Sequence, residues 1–272
     1  MIPDWNGEQG HFWVQQQRHQ DAVLETFIQP VLDGAAIEPG QNVLDIGCGC
    51  GATTRAAGHI AIQGGVLGVD ISGPMLGLAQ ELAADEGLSN VDFMQADAQT
   101  YSFEPAAYDA MISRFGVMFF EDPHVAFTNI ATALRPGARL AYVCWQPAKA
   151  NPHISLPMRA IVQAFPDALP RNAPQPPFSM ADPETVRDLL SGSGFTEIDL
   201  APIVGDVRVG NDVDDVMHHF QSQPMAKNIL NAQVPAEVDK VIAQIRGQLE
   251  SHAGPDGVFL GSAAWLVTAQ RA

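Results

Sequence analysis

Short apolar runs alternate with longer amphipathic stretches over residues 41–145. Runs of this kind, bounded by turn residues, read as buried strands. The pattern predicts a first strand ending at Ile46 and further strands near 66–70, 91–95, 108–113 and 138–145. It predicts helices near 51–62, 73–87 and 123–135. Strands alternating with helices imply a parallel sheet covered on both faces. In such sheets ligands bind beyond the carboxyl ends of the strands. Asp45, Asp70, Asp97 and Ser113 all fall at predicted carboxyl ends.

On either side of this region the pattern changes. Residues 8–33 read as helical, with Phe12, Val14, Val23, Leu24, Phe27, Ile28 and Val31 as apolar positions, and Pro39-Gly40 breaks the chain before the first strand. Residues 146–181 are rich in proline, with a short helix near 155–165 and an irregular loop to Phe178. Asp182-Pro183-Glu184 opens a helix with an acid cap and proline in its first turn. Gly192 and Gly194 end it, and Phe195–Val209 reads as a sixth strand. Residues 211–250 read as two or three helices before a final strand, Gly257–Gln270.

A chain of 272 residues, 46% of them hydrophobic, can bury a sizeable core. The formal net charge of −17 argues against partners bound through phosphate neutralisation, nucleic acid above all. It argues equally against an anionic membrane surface. No apolar run is long enough to cross a bilayer. The segment Met1-Ile2-Pro3-Asp4-Trp5 lacks the basic and apolar regions of a signal peptide, so the cytoplasm is the expected location. Three cysteines fit a reducing compartment. Cys48 and Cys50 have no second ligand cluster and read as small side chains filling a turn, so no metal is expected. Cys144 lies in an apolar run and reads as core.

The chemistry concentrates at Val43-Leu44-Asp45-Ile46-Gly47-Cys48-Gly49-Cys50-Gly51. Glycines let the backbone turn with positive φ and let a ligand rest on bare peptide groups. Gly47-x-Gly49-x-x-Ala52 also satisfies the dinucleotide fingerprint, with Asp70 where an acid binds ribose hydroxyls. Asp45 separates the two readings. A carboxylate facing the ligand would repel a pyrophosphate. It would suit S-adenosylmethionine, which carries a sulfonium and an ammonium and no phosphate, by accepting a charge-assisted hydrogen bond. An oxidoreductase would usually also present a Tyr-x-x-x-Lys pair or a clear acid-base histidine, and Tyr101, Tyr108 and Tyr142 each lack that lysine.

At these residues the chain resembles the class I S-adenosylmethionine-dependent methyltransferases. Val43–Gly51 is similar to their first motif and Gly68-Val69-Asp70-Ile71-Ser72 to the second-strand motif. Met94-Gln95-Ala96-Asp97-Ala98 is similar to the third-strand motif, Tyr108–Ser113 to the fourth strand, and Leu134–Leu140 to the turn into the fifth. The branch it most resembles is the small-molecule enzymes related to the ubiquinone-biosynthesis C-methyltransferases. The resemblance implies a Rossmann-like α/β fold with a seven-stranded, mostly parallel sheet, helices on both faces and a helical lid. It implies an N-terminal lid segment at 1–40, a cofactor core at 41–145, a lid insertion at 146–181, and a C-terminal part at 182–272 with a helical insertion at 205–256.

Its cofactor would be S-adenosyl-L-methionine, with S-adenosyl-L-homocysteine as product. Asp45, Gly47, Cys48, Gly49 and Gly51 would form the cradle. Asp70 would bind the ribose, and Asp97 and Ala98 the adenine amine. Ile71 and Met75 would flank the adenine ring, against ordinary core packing. The carbonyl of Ser113 would meet the methionine ammonium, and Arg114 either a carboxylate or a structural ion partner. Trp13, with Trp5 and Gln17, would belong to the lid. Val117–Phe120 reads either as pocket lining or as the inner face of a helix. Trp145, His153 and His219 are the candidates for acceptor contact or a general base. His218-His219 is no metal pair, because adjacent helical residues point to different faces.

The reaction expected is in-line methyl transfer to a small, apolar acceptor. The alternatives are a non-catalytic S-adenosylmethionine binder and an NAD(P)-dependent oxidoreductase. Helices of the insertions could cover a pocket or form the face of a homodimer.

Overall fold

Val43, Leu44 and Ile46 are almost completely buried, as expected for a strand covered on both faces. With Asn42 and Asp45 they form β1 (Asn42–Ile46) at the centre of the sheet. The computed structural model describes residues 4–168 and 176–272, so Pro170 and Pro174 of the expected irregular loop lie outside the described residues.

Strand β1 pairs with β2 (Gly65–Asp70) on one side and with β4 (Tyr108–Arg114) on the other, both parallel. Strand β3 (Val91–Gln95) extends the sheet from β2, and β5 (Leu134–Trp145) extends it from β4. Beyond β5 the direction reverses. Strand β8 (Gly257–Arg271) runs antiparallel between β5 and β6 (Phe195–Gly210). The order β3-β2-β1-β4-β5-β8-β6 is a seven-stranded, mostly parallel path, with the short β7 (Ala253–Gly254) as an eighth strand on β8.

Several helices start where capping chemistry directs them. The hydroxyl of Ser72 accepts from the Met75 amide at the start of α5 (Gly73–Asp85). Asp122 does the same for Val125 at α6 (Pro123–Ala133), and Asp182 for Glu184 and Thr185 at α8 (Pro183–Gly192). Helix α4 (Ala52–Gly58) follows the glycine turn, and α7 (Pro152–Ala164) follows β5. The expected helices at 211–250 are three: α9 (Val213–Ser222), α10 (Pro224–Asn231) and α11 (Pro235–Glu250). Strand β6 continues to Gly210, so residues 205–210 belong to the sheet.

Two boundaries differ from the sequence pattern. Residues 8–33 form three helices, α1 (Glu8–Gln15), α2 (Gln17–Leu24) and α3 (Ile28–Ala35), bent at Gln16 and at the tight turn Glu25–Phe27. The bends bring Phe12, Leu24, Phe27 and Val31 inward from successive segments. Strand β5 begins at Leu134 rather than near residue 138, because Leu134 already pairs with Tyr108 across a bulge that contains Gly137 at positive φ.

The strand order reverses between β1 and β4. A crevice opens at that point beyond the carboxyl ends of the parallel strands. Helices α1 and α2 cross above it.

Candidate active site

The floor of the crevice is backbone. After β1 the chain turns through Gly47 (φ +65°) and Gly49 (φ +56°), conformations that favour glycine. A Cβ on Gly47 would stand 2.7 Å from Cα of Gly116, so the turn after β1 and the turn after β4 touch with no side chain between them. The amides of Gly47 and Cys48 donate to the Val69 carbonyl, at 2.8 and 3.2 Å.

Asp70, at the end of β2, ties this floor together. One carboxylate oxygen accepts from the Gly49 amide and the other from the Ser72 amide, each at 2.8 Å. Burial raises its pKa, while the amides of Ser72, Gly49 and Ile71 pull it back down. The carboxylate keeps lone-pair capacity for a ligand. Asp97 accepts from the Gln99 amide at 2.9 Å and shapes the turn that carries Ala98.

The opposite wall is made of side chains. Trp5 and Trp13 lie 6.3 Å apart, and Trp5 meets the edge of Phe119 at 5.1 Å. The Asn6 side chain accepts from the Gly73 amide and from Gln95, and the Trp5 carbonyl accepts from Ser72. These bonds fasten one end of the N-terminal segment to the start of α5. Arg114 fastens the other end. Its guanidinium donates to Asp21 at 3.1 Å, to the Leu24 carbonyl at 3.1 Å and to the Thr53 hydroxyl at 3.0 Å.

Floor and wall enclose a cavity of about 310 Å³. Of the residues singled out in the sequence, Trp13, Gly47, Cys48, Gly49, Asp70, Ile71 and Met75 line it, as do Asp97, Ala98 and Arg114. Trp5 and Gln17 line it too, and so do Phe119 and Phe120, whereas Val117 and Met118 are core.

Six others stand elsewhere. Asp45 is fully buried and does not line the cavity. Thr54 donates to one of its oxygens at 2.7 Å, and the other oxygen has no partner. Burial pushes its pKa up to about 7. Gly51 (φ +77°) packs against Phe93, where a Cβ would come within 2.8 Å of the ring. Ser113 is buried, and its hydroxyl accepts from the Gly116 amide.

Trp145 is stacked on Phe115 and takes no part in the lining. His153 binds the Gly261 carbonyl at 3.1 Å through Nδ1, and burial pushes its pKa down to about 4. His219 stacks on His19 at 3.4 Å and pairs with Asp215 at 3.2 Å. None of these three candidates for acceptor contact or general base lines the cavity. Trp145 and His153 are turned into packed interior, and His219 joins two helices outside the cavity.

Sequence reasoning missed Gln20, Asp21, Phe115 and Gly116 as lining residues. A signal existed for the first two, which lie one helical turn from Gln17. A glycine just after a strand signals a close backbone approach, and Gly116 is one. Cys50 also lines the cavity. Burial pushes its thiol up to about 12 and raises that of Cys48 as well, so both stay protonated. Among the described residues no group of three His, Cys, Asp or Glu is placed to hold a metal.

The family model described as a methyltransferase domain matches residues 43–137. Nocamycin O-methyltransferase of Saccharothrix syringae is 30% identical over 194 residues, 65% of this chain and 69% of that protein. The chain belongs to the class I S-adenosylmethionine-dependent methyltransferases.

Aklanonic acid methyltransferase of a Streptomyces species is 38% identical to this methyltransferase over 104 residues. That match covers 38% of this chain and 47% of the relative, so the chain spans about half of that protein. A phosphoethanolamine N-methyltransferase of Haemonchus contortus, solved with S-adenosylhomocysteine, shares the fold. Its TM-score is 0.61 at 18% identity, over 99% of this chain and 60% of that one. The [4+2]-cyclase SpnF shares the fold as well, at TM-score 0.56 and 18% identity, over 99% of this chain and 98% of that one.

The cofactor of the methyltransferase is S-adenosylmethionine. The residues present fit it. The floor offers bare peptide where a Cβ at Gly49 would strike Met75 at 2.9 Å, and Asp70 presents free lone pairs beside it. Arg114 is the cavity's one cationic lining residue among those described, and Asp21 is its partner.

Proposed function

We propose that the methyltransferase transfers a methyl group to a small, apolar molecule held against the aromatic wall of Trp5, Trp13, Phe119 and Phe120. One observation carries this reading: a single cavity joins a polar backbone floor to that wall. S-adenosylmethionine, when bound, supplies an electrophilic methyl group on a positively charged sulfur. The protein's own contribution is then placement, which can be worth about 7–11 kcal/mol.

In this reading Asp70 accepts from the ribose hydroxyls. Asp97 and Ala98 face the adenine amine, and Ile71 and Met75 cover the ring. Gln17, Gln20 and the unused donors of Arg114 face the amino-acid end. Neither His153 nor His219 lines the cavity. The three free, buried cysteines support a reducing compartment, the cytoplasm.

Calorimetric titration with S-adenosylhomocysteine, with NAD as control, tests the cofactor reading. Micromolar binding of the first alone is the expected result, and binding of NAD alone overturns it. Transfer of labelled methyl groups to a panel of phenols, quinols and terpenoids then tests the acceptor class. Transfer to polar amines only would refute the apolar assignment.

A further inference from the structure

Phe115 stands just after β4 with φ +61°, a left-handed conformation that a bulky side chain rarely adopts. Its ring is held on two sides. Trp145 stacks on it face to face, with centroids 3.8 Å apart and planes 14° apart. Phe27 meets it edge-on at 4.9 Å and also meets Trp145 at 5.3 Å. His153 closes the far side of Trp145 at 4.7 Å. Offset stacks and edge contacts of this kind are attractive beyond the area they bury.

The conformation has a geometric result. The left-handed residue turns the chain so that Gly116 rests on the glycine turn, where a Cβ at Gly116 would stand 2.7 Å from Cα of Gly47. The Phe115 amide donates to the Val143 carbonyl at 3.2 Å, and the Gly116 amide to Ser113 at 3.3 Å. These bonds fix the strand end, and the ring stack fixes the turn beyond it.

We propose that Trp145, which does not line the cavity, is a positioning residue for the cofactor floor. Through Phe115 it holds the turn after β4 in its left-handed form and so sets the height of Gly47–Gly49. The proposal rests on the methyltransferase reading for its binding test and not for its exchange test.

The binding test is calorimetry with S-adenosylhomocysteine on the full chain. Trp145→Leu should lose about tenfold in affinity, and Trp145→Phe should restore it to within about twofold. Glycine enters the left-handed region freely. In Phe115→Gly the stack therefore has nothing to hold, and adding Trp145→Leu should cost no further affinity. Should Trp145→Leu not fold, Trp145→Met, which keeps more of the side-chain volume, reports the same loss.

The exchange test needs no ligand. The amides of Gly47, Cys48 and Gly49 should exchange about tenfold faster in Trp145→Leu, while those of α8 keep their rates. A variant that lowers Tm but leaves both the affinity and these rates unchanged overturns the proposal. So do two losses that simply multiply in the double variant. Absence of binding by the unmodified chain, with the exchange result as expected, would instead overturn the cofactor reading alone.

Discussion

The floor and the wall of the cavity are built by different means. The floor is local: Gly47 to Asp70 supply peptide groups and one short acid within β1, β2 and the turn between them. The wall is assembled from distance. Helices α1 and α2 arrive from the start of the chain and are held by Arg114 at one end and by the Asn6 and Trp5 contacts at the other. A backbone floor tolerates almost no substitution, since its shape is the shape of the chain. A side-chain wall can change residue by residue while its anchors stay. The difference suggests that the cofactor half of the site is constrained by geometry and the acceptor half by side-chain choice.

The contrast breaks most sharply at Gly47. Gly47→Ala combines positive φ with a contact of 2.7 Å to Gly116. It should cost at least about 2 kcal/mol of stability and abolish detectable S-adenosylhomocysteine binding, read by thermal melts and calorimetry. Asp70→Ala comes next. It removes a ligand acceptor and frees the amides of Gly49 and Ser72, so affinity should fall about a hundredfold. Retained affinity would mean that the floor does not need its tie. Arg114→Lys should loosen the wall and weaken the donors at the amino-acid end. A lysine cannot hold Asp21, Leu24 and Thr53 together, and S-adenosylhomocysteine should dissociate about tenfold faster in stopped flow.

The smallest effect concerns Asp45. Burial raises its pKa in the fold to about 7, well above the ordinary carboxylate range. The unfolded chain therefore releases this proton at lower pH than the folded chain. Asp45 favours the fold fully below about pH 4 and loses that contribution as pH rises through 7. Asp45→Asn should flatten the fall in Tm between pH 5 and pH 7.5. An unchanged slope would show that another group carries it.

Most of the sheet was legible because β1, β2 and β4 are short apolar runs bounded by glycine, proline or acids. The cofactor side was legible for a related reason, since its residues are neighbours in sequence. What failed was direction. Asp45 ends a strand buried on both faces, where alternation does not tell which side meets the ligand, and it turns to Thr54 of α4. Trp145 also ends a strand, yet Phe27 and Phe115 provide an aromatic slot that draws it inward. Gln20 and Asp21 share a helical face with Gln17, but which face of α2 meets the crevice depends on where α2 crosses the sheet.

The antiparallel placement of β8 has a consequence for synthesis on the ribosome. Among the described residues strand β6 pairs with β8 alone, and β8 also separates it from β5. During translation β1 to β5 can assemble as soon as they emerge. Strand β6 must then wait, unpaired, while α9, α10 and α11 are made. Open strand edges invite pairing with other chains. Newly made molecules therefore pass through a stage in which a long edge is exposed, and a ribosome stalled before β8 would leave a product prone to aggregate although its cofactor floor is already complete.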